Sequence, residues 1–143
     1  MAQKQLHVAL GILCCKKSES VRVLITQRPH DTVLGGSWEF PGGKIEANES
    51  PRQAVSRELL EEIGIEVEPI TALSVIEHVY EHAHVYLHPW LCKQLNGEPQ
   101  NLEVIAHRWV GLEELLQIEF PSANNALVAE LQCYDFKAIF KIK

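Results

Sequence analysis

The sequence predicts an α/β (α+β) fold, a mixed sheet with helices on its faces. Two apolar stretches near the N-terminus, residues 6–15 and 21–28, have strand composition and flank a polar turn. A helix from Pro51 to Ile63 is marked at both ends. Strand-like segments then resume at about 66–80 and 83–94, and a second amphipathic helix follows them. The 143 residues suffice for one core, and no repeat, low-complexity segment or linker divides them, so residues 1–143 read as one domain.

Leu6 to Cys15 is apolar and rich in small and β-branched residues, the composition of a buried strand. "KKSES" is a turn, and "VRVLITQR", Val21 to Arg28, alternates as the second strand. "PHDTVLGGS" is a loop, "WEF" a short strand, and "PGGKIEANE" has turn chemistry without periodicity. Ser50 suits the N-cap, Pro51 the first helical position and Gln53 the reciprocal half of a capping box. Val55, Leu59 and Ile63 line up as the apolar stripe, and Gly64 stands at C′. Beyond the next two strands, "NGEP" is a turn, "HRWVGL" a strand and "EELLQI" a short helix. "SANNALVAEL" is the second amphipathic helix, with Ser122 as its N-cap. "CYDFKAIFKIK" reads either as a terminal strand or as a frayed tail.

Hydrophobic residues make up 46% and charged residues 22%, ordinary values for a water-soluble fold. The formal net charge of −6, from 19 acidic and 13 basic residues, argues against a direct nucleic-acid or membrane-surface footprint. An acidic chain that handles phosphates needs a cation to do so. Cys14, Cys15, Cys92 and Cys133 form no C-x-x-C pair, so buried free thiols are expected rather than a zinc or redox site. The N-terminus does not read as a signal peptide, and no apolar run approaches the roughly 20 residues of a membrane span. A cytoplasmic protein, monomeric or weakly dimeric, is expected.

"RELLEEIGI", Arg57 to Ile65, poses an energetic problem. Glu58 stands three and four residues before Glu61 and Glu62, and like charges at those spacings cost roughly 0.2–0.5 kcal/mol per pair. All three glutamates lie near a helix C-terminus, where the macrodipole disfavours anions by a further 0.3–1 kcal/mol or so each. On a helical wheel they fall in one wedge beside the apolar stripe, with Ala54 between them. A divalent cation relieves that repulsion, and oxygen-only ligands favour Mg²⁺, with Mn²⁺ as a substitute. The preceding "PGG" lets the backbone approach a ligand closely. The competing reading is a solvated acidic face.

Gly43, five residues, Glu49, seven residues, then Arg57-Glu58-Leu59-x-Glu61-Glu62-x-Gly64-Ile65 resembles a complete Nudix box, residues 43–65. The likeness extends through "WEFPGGKIE", "NGEP" and "FPSANNALV", which are similar to the MutT-type branch of the Nudix hydrolases. The resemblance implies the Nudix α/β/α sandwich and Mg²⁺-dependent hydrolysis of a nucleoside triphosphate to a monophosphate and pyrophosphate. It implies metal ligands at Glu58, Glu61 and Glu62 and at the carbonyl of Gly42. Glu103, counted from "NGEP", falls at the place of a further carboxylate, or is a surface acid. Arg57 and Glu49 resemble the charge pair that orients the loop. A glutamate takes the proton of the attacking water; Glu58 is favoured, with Glu61 and Glu103 open. Arg28 resembles a phosphate-contacting arginine, or is an ordinary surface one.

Asn124 in "PSANNA" resembles a base reader, and the alternative is a helix cap. Guanine shows two acceptors on its O6/N7 edge. Oxidation at C8 protonates N7, and an amide then offers a matching donor and acceptor. The expected substrate is therefore 8-oxo-dGTP. A CTP-type pyrimidine nucleotide is the second reading, and a non-catalytic Nudix binding module the third. Phe40 either stacks on the base or packs in the core, and Trp38, Trp90 and Trp109 are core or cleft walls. His78, His82, His84 and His88 share one parity, so imidazoles are expected along one strand face beside a phosphate cleft, in preference to a zinc site. The hairpin that carries them lacks the arginine of the MutT pattern.

Overall fold

In the computed structural model, residues 4–18, 20–32, 34–81 and 83–140 are described. The strands are β1 (Lys4–Lys17), β2 (Ser20–Gln27), β3 (Trp38–Glu39), β4 (Gly42–Lys44), β5 (Glu66–Ala72), β6 (Ile76–Val79), β7 (Ala83–Asn96) and β8 (Ala106–Gly111). The helices are α1 (Pro51–Ile63) and α2 (Asn125–Cys133), with short 3₁₀ turns at Glu114–Gln117, Ser122–Asn124 and Phe136–Ala138. The strand order is β3-β2-β1-β7-β5, with β4 on β1, β6 on β7 and β8 on β2. The β1–β7 pairing is parallel and the other pairings are antiparallel, so the sheet is mixed.

The central strand β1 is buried on both faces, which is why its sequence runs apolar without clean alternation. Ala9 and Leu13 face Ala54, Val55, Leu59 and Ile63 of α1. Leu10 and Ile12 face the opposite cluster, with Leu127, Val128 and Leu131 of α2. Successive side chains of a strand point to opposite faces, so one strand serves two helical layers. That is the mixed sheet with helices on its faces that the sequence predicts, and the α/β/α sandwich that the resemblance implies. The α1 stripe comes close to the sheet because position 11 is glycine: a Cβ there would lie 2.7 Å from Leu59 Cδ1.

Several local expectations change. "PGGK" is not only a turn: Gly42–Lys44 forms β4, which pairs with Val8–Leu10. Its partner, not its own composition, makes it a strand. The segment expected at 66–80 is two strands, β5 and β6, both on β7, with one register shift between Glu66 and Val67 and another just after Pro69, a residue that cannot donate to a ladder. Ser122 does not cap α2: it lies within a 3₁₀ turn behind Pro121, and α2 begins at Asn125. The described part of the C-terminal segment is neither strand nor frayed tail, because Phe136 and Ile139 anchor a 3₁₀ turn in the core. Residues 141–143 of that segment lie outside the described residues.

Cys14 and Cys92 are buried and Cys15 half-buried, but Cys133 is exposed on α2; all four are free thiols. Burial raises the Cys14 thiol to about 12 and pushes Cys92 up as well. Among the described residues no helix is long and apolar enough to cross a membrane.

Candidate active site

Helix α1 is set in register at both ends. Ser50 Oγ accepts from the Gln53 amide at 3.1 Å, and the Gln53 side chain accepts from the Ser50 amide at 2.8 Å. At the other end Gly64 takes the left-handed conformation, φ 70°, that a C′ residue needs. The last turn of a helix leaves carbonyls without partners. Here a loop supplies them: Leu102 and Glu103 donate to Glu62 O at 3.1 Å, and Gln100 donates to Ile63 O at 2.9 Å. These bonds bring Glu103 beside Glu62.

Two of the three box carboxylates turn onto β4. The Glu62 carboxylate accepts from the Gly42 amide at 3.3 Å. Glu58 lies against Gly43 so closely that a Cβ there would overlap its carboxylate. Position 42 is equally tight, since a Cβ there would run into Ala9 O. Gly42 is therefore required by close approach of backbone to backbone, and Gly43 leaves the room that the Glu58 carboxylate occupies. Ile45 donates to His7 O and Gly11 to Pro41 O, which makes Gly42 a position whose amide turns away from β1. In a strand the carbonyl of a residue faces the same side as its amide, so the Gly42 carbonyl likewise turns away from β1.

Arg57 organises the rest. Its Nε and Nη2 bind Glu49 in a two-pronged pair at 2.7 and 3.0 Å, and Nη2 also donates to Lys44 O at 3.0 Å. Its Nη1 donates to Glu58 at 3.1 Å and to Glu61 at 3.2 Å. The hydrogen bond from Arg57 holds the Glu49 carboxyl below its ordinary value. Glu61 therefore lies along Arg57, half exposed.

The charges repel as the sequence implies. Burial first, then Glu58, Glu39 and Glu103, raise the Glu62 carboxyl to about 8, against the Gly42 bond that lowers it. Burial, Glu61 and Glu103 raise Glu58, while Arg57 opposes them. Glu39 is the acid that sequence reading missed. Its signal was a carboxylate between two large aromatics, Trp38 and Phe40. It pairs with Arg28 at 3.2 Å, and burial raises its carboxyl.

Among the described residues no three His, Cys, Asp or Glu side chains are gathered into a closed metal cage. Arg57 draws Glu61 aside. The donor set nevertheless fits a hard divalent cation: it is all oxygen, and Glu62 carries its charge at neutral pH only at a cost that a cation removes.

The other singled-out residues fall elsewhere. Phe40 is 1% exposed and stacks on Phe120, ring centroids 5.3 Å apart, so it packs in the core and shows no open face for a base. Asn124 is buried in the α2 layer, on the other face of the sheet from α1, and makes no side-chain capping bond to α2. The β6–β7 register places Val85 opposite His78 and Tyr86 opposite Glu77. His78 therefore lies on the opposite face from His84 and His88, so the described histidines of the hairpin do not all share one face. His84 stacks on Tyr86 and faces Glu77, and His88 Nε2 meets His7 Nδ1 at 2.9 Å. His82 lies outside the described residues.

The chain belongs to the Nudix family: the NUDIX domain model matches residues 11–130. Among its relatives, the 8-oxo-dGTP diphosphatase of Escherichia coli K12 is 37% identical over 129 residues, 90% of this chain and 98% of that one. The CTP pyrophosphohydrolase of the same organism is 38% identical over 113 residues, 75% of this chain and 79% of that one. The solution structure of the Escherichia coli ORF135 protein superposes with a TM-score of 0.79 at 30% identity, covering 99% of this chain and 96% of that one.

Proposed function

We propose that this protein hydrolyses 8-oxo-dGTP to 8-oxo-dGMP and pyrophosphate with Mg²⁺ as its cation, and so removes an oxidised precursor from the nucleotide pool. The observation that carries the reading is the convergence of Glu58 and Glu62 on the glycine pair of β4, a costly arrangement that a hard cation and phosphate oxygens relieve. The relationship to an 8-oxo-dGTP diphosphatase over nearly the whole chain supports the choice of substrate. We read residues 1–143 as one domain acting as a monomer or weak dimer in the cytoplasm. The four free thiols support the cytoplasmic part of this reading, and the net charge of −6 supports one without direct nucleic-acid binding.

Glu58, Glu62, the Gly42 carbonyl and Glu103 are the groups that would hold the cation, with Glu61 joining them if it leaves Arg57. A bound Mg²⁺ supplies neutralisation of phosphate charge and acidifies the attacking water. Glu58 takes the proton of that water at its carboxylate, as the attack on phosphorus proceeds in line. Arg57 keeps Glu58 aimed through its Nη1 contact. Arg28 meets the phosphate chain, and Asn124 reads the O6/N7 edge of the base with its amide, which no capping bond occupies.

The test is pyrophosphate release from 8-oxo-dGTP, dGTP, CTP and dCTP, with Mg²⁺, with Mn²⁺ and with neither. Cation-dependent turnover that favours 8-oxo-dGTP is expected. A preference for CTP, which the relationship to a CTP pyrophosphohydrolase makes the second reading, overturns the substrate. Turnover undiminished without cation overturns the chemistry. Nucleotide binding without turnover returns the protein to a binding module.

A further inference from the structure

We infer that Glu39 is the positioning residue for Arg28, holding its guanidinium on the carboxylate face of the sheet so that it meets the phosphate chain. This rests on the pyrophosphohydrolase reading above. In the β2–β3 pairing, Thr26 stands opposite Glu39 and Gln27 opposite Trp38. Side chains alternate along a strand, so Leu24, Thr26 and Glu39 share one face, and Arg28 follows in the same parity just beyond β2. Leu24 packs with Ala54, Val55 and Leu59 of α1, which makes this the face of Glu58 and Glu62. Phe40, next in the chain, goes to the opposite cluster, as alternation requires.

On that face Arg28 Nε donates to Glu39 Oε2 at 3.2 Å, with the side chains 36% and 26% exposed. The Arg28 backbone is fixed as well, its amide donating to Ser37 O at 2.9 Å and its carbonyl accepting from Gly36 at 2.9 Å. Glu39 is largely covered on that face, and an acid so placed needs a charge partner; Arg28 is that partner. Two-pronged contact with a phosphate uses the terminal nitrogens of a guanidinium. A restraint at Nε sets the plane of that fork without using it. Glu39 thus aims Arg28 at an anion bound beside Glu62.

The experiment measures the Kd of a non-hydrolysable triphosphate analogue with Mg²⁺ by calorimetry on the full chain, and KM and kcat for hydrolysis, in four variants. Glu39→Ala weakens analogue binding and raises KM by about tenfold, with a smaller change in kcat. Arg28→Ala does the same, and the double variant is no weaker than Arg28→Ala alone. Glu39→Gln, whose amide oxygen still accepts from Nε, stays within about twofold of wild type. Thermal melting establishes that each variant is folded, and the isosteric glutamine keeps the test sound should the alanine variant not fold. Wild-type affinity in Glu39→Ala, or additive losses in the double variant, overturns the inference. So does a glutamine variant as weak as the alanine one with a raised Mg²⁺ requirement, because the carboxylate then acts on the cation. Wild-type protein that neither binds the analogue nor releases pyrophosphate overturns the pyrophosphohydrolase reading and this inference with it.

Discussion

Glu62 titrates against its own fold. Its carboxyl is raised from an ordinary 4.5 to about 8, chiefly by burial and then by Glu58, Glu39 and Glu103. A raised folded value means that the neutral acid is the form the fold prefers. Its contribution to stability is fully present below pH 4.5 or so and is lost as the pH rises to about 8. Urea midpoints of the cation-free protein, measured from pH 5 to pH 9, should fall relative to those of Glu62→Gln, which has no proton to lose. A constant offset between the two curves would contradict the burial of this carboxyl. The same substitution should abolish most Mg²⁺-dependent turnover, and near wild-type activity at saturating Mg²⁺ would remove Glu62 from the cation site. Asn124 makes a separate prediction. An amide pairs twice with the oxidised purine edge and once with the normal one, a difference of roughly 1–3 kcal/mol when buried. Asn124→Ala, assayed on 8-oxo-dGTP and dGTP side by side, should lose about 10- to 100-fold of the preference for the oxidised substrate. Equal losses on both substrates would leave Asn124 a packing residue of the α2 layer.

Helix α1 was legible because its signals are local: the capping box, Pro51, the apolar stripe and Gly64 all lie within a few residues of its ends. Strand β4 was not, because three residues of turn-like composition become a strand only by pairing with Val8–Leu10. The loop that caps α1 belongs to the same class, since Gln100, Leu102 and Glu103 reach carbonyls about forty residues earlier in the chain. That capping gives the loop acids unequal roles. Glu103 is tethered at the helix terminus and its charge is felt by Glu58 and Glu62. Glu98 lies in the exposed stretch after β7, ahead of the residues that tether the loop to α1. Glu103→Ala should lower turnover or raise the Mg²⁺ needed for half-maximal rate several-fold more than Glu98→Ala, read from Mg²⁺ titrations of both variants. Equal, small effects would make Glu103 an ordinary surface acid.

Across the molecule, the sheet separates two chemistries. The carboxylates lie with α1 on one face, and Asn124, Phe40 and Phe120 lie with α2 on the other. The cysteines report on this layering. Cys14 and Cys92 are buried in opposite clusters, and burial raises both thiols. Reactivity follows the exposed thiolate. A thiol reagent should label Cys133 promptly in the folded protein. Cys14 and Cys92 should label only as the chain unfolds, so their labelling across a urea series should track the loss of the sandwich as followed by circular dichroism. Prompt labelling of Cys92 in the native state would mean that the α1 layer opens locally.

The ends of α1 and the wedge of glutamates with its energetic cost were determined by the sequence, because each depends on spacing within a dozen residues or so. That Glu58 and Glu62 meet β4 while Glu61 lies along Arg57 was decided by the tertiary structure, since a helical wheel orders the three by their distance from the apolar stripe but places no strand beside them. The tertiary structure also decided that Phe40 is core and Glu39 is not. Neighbours in a strand face opposite sides, and no property of the pair "EF" says which side holds α1. The pairing of Arg28 with Glu39 has the same origin, because the β2–β3 register closes eleven residues of chain into one contact that local sequence does not encode.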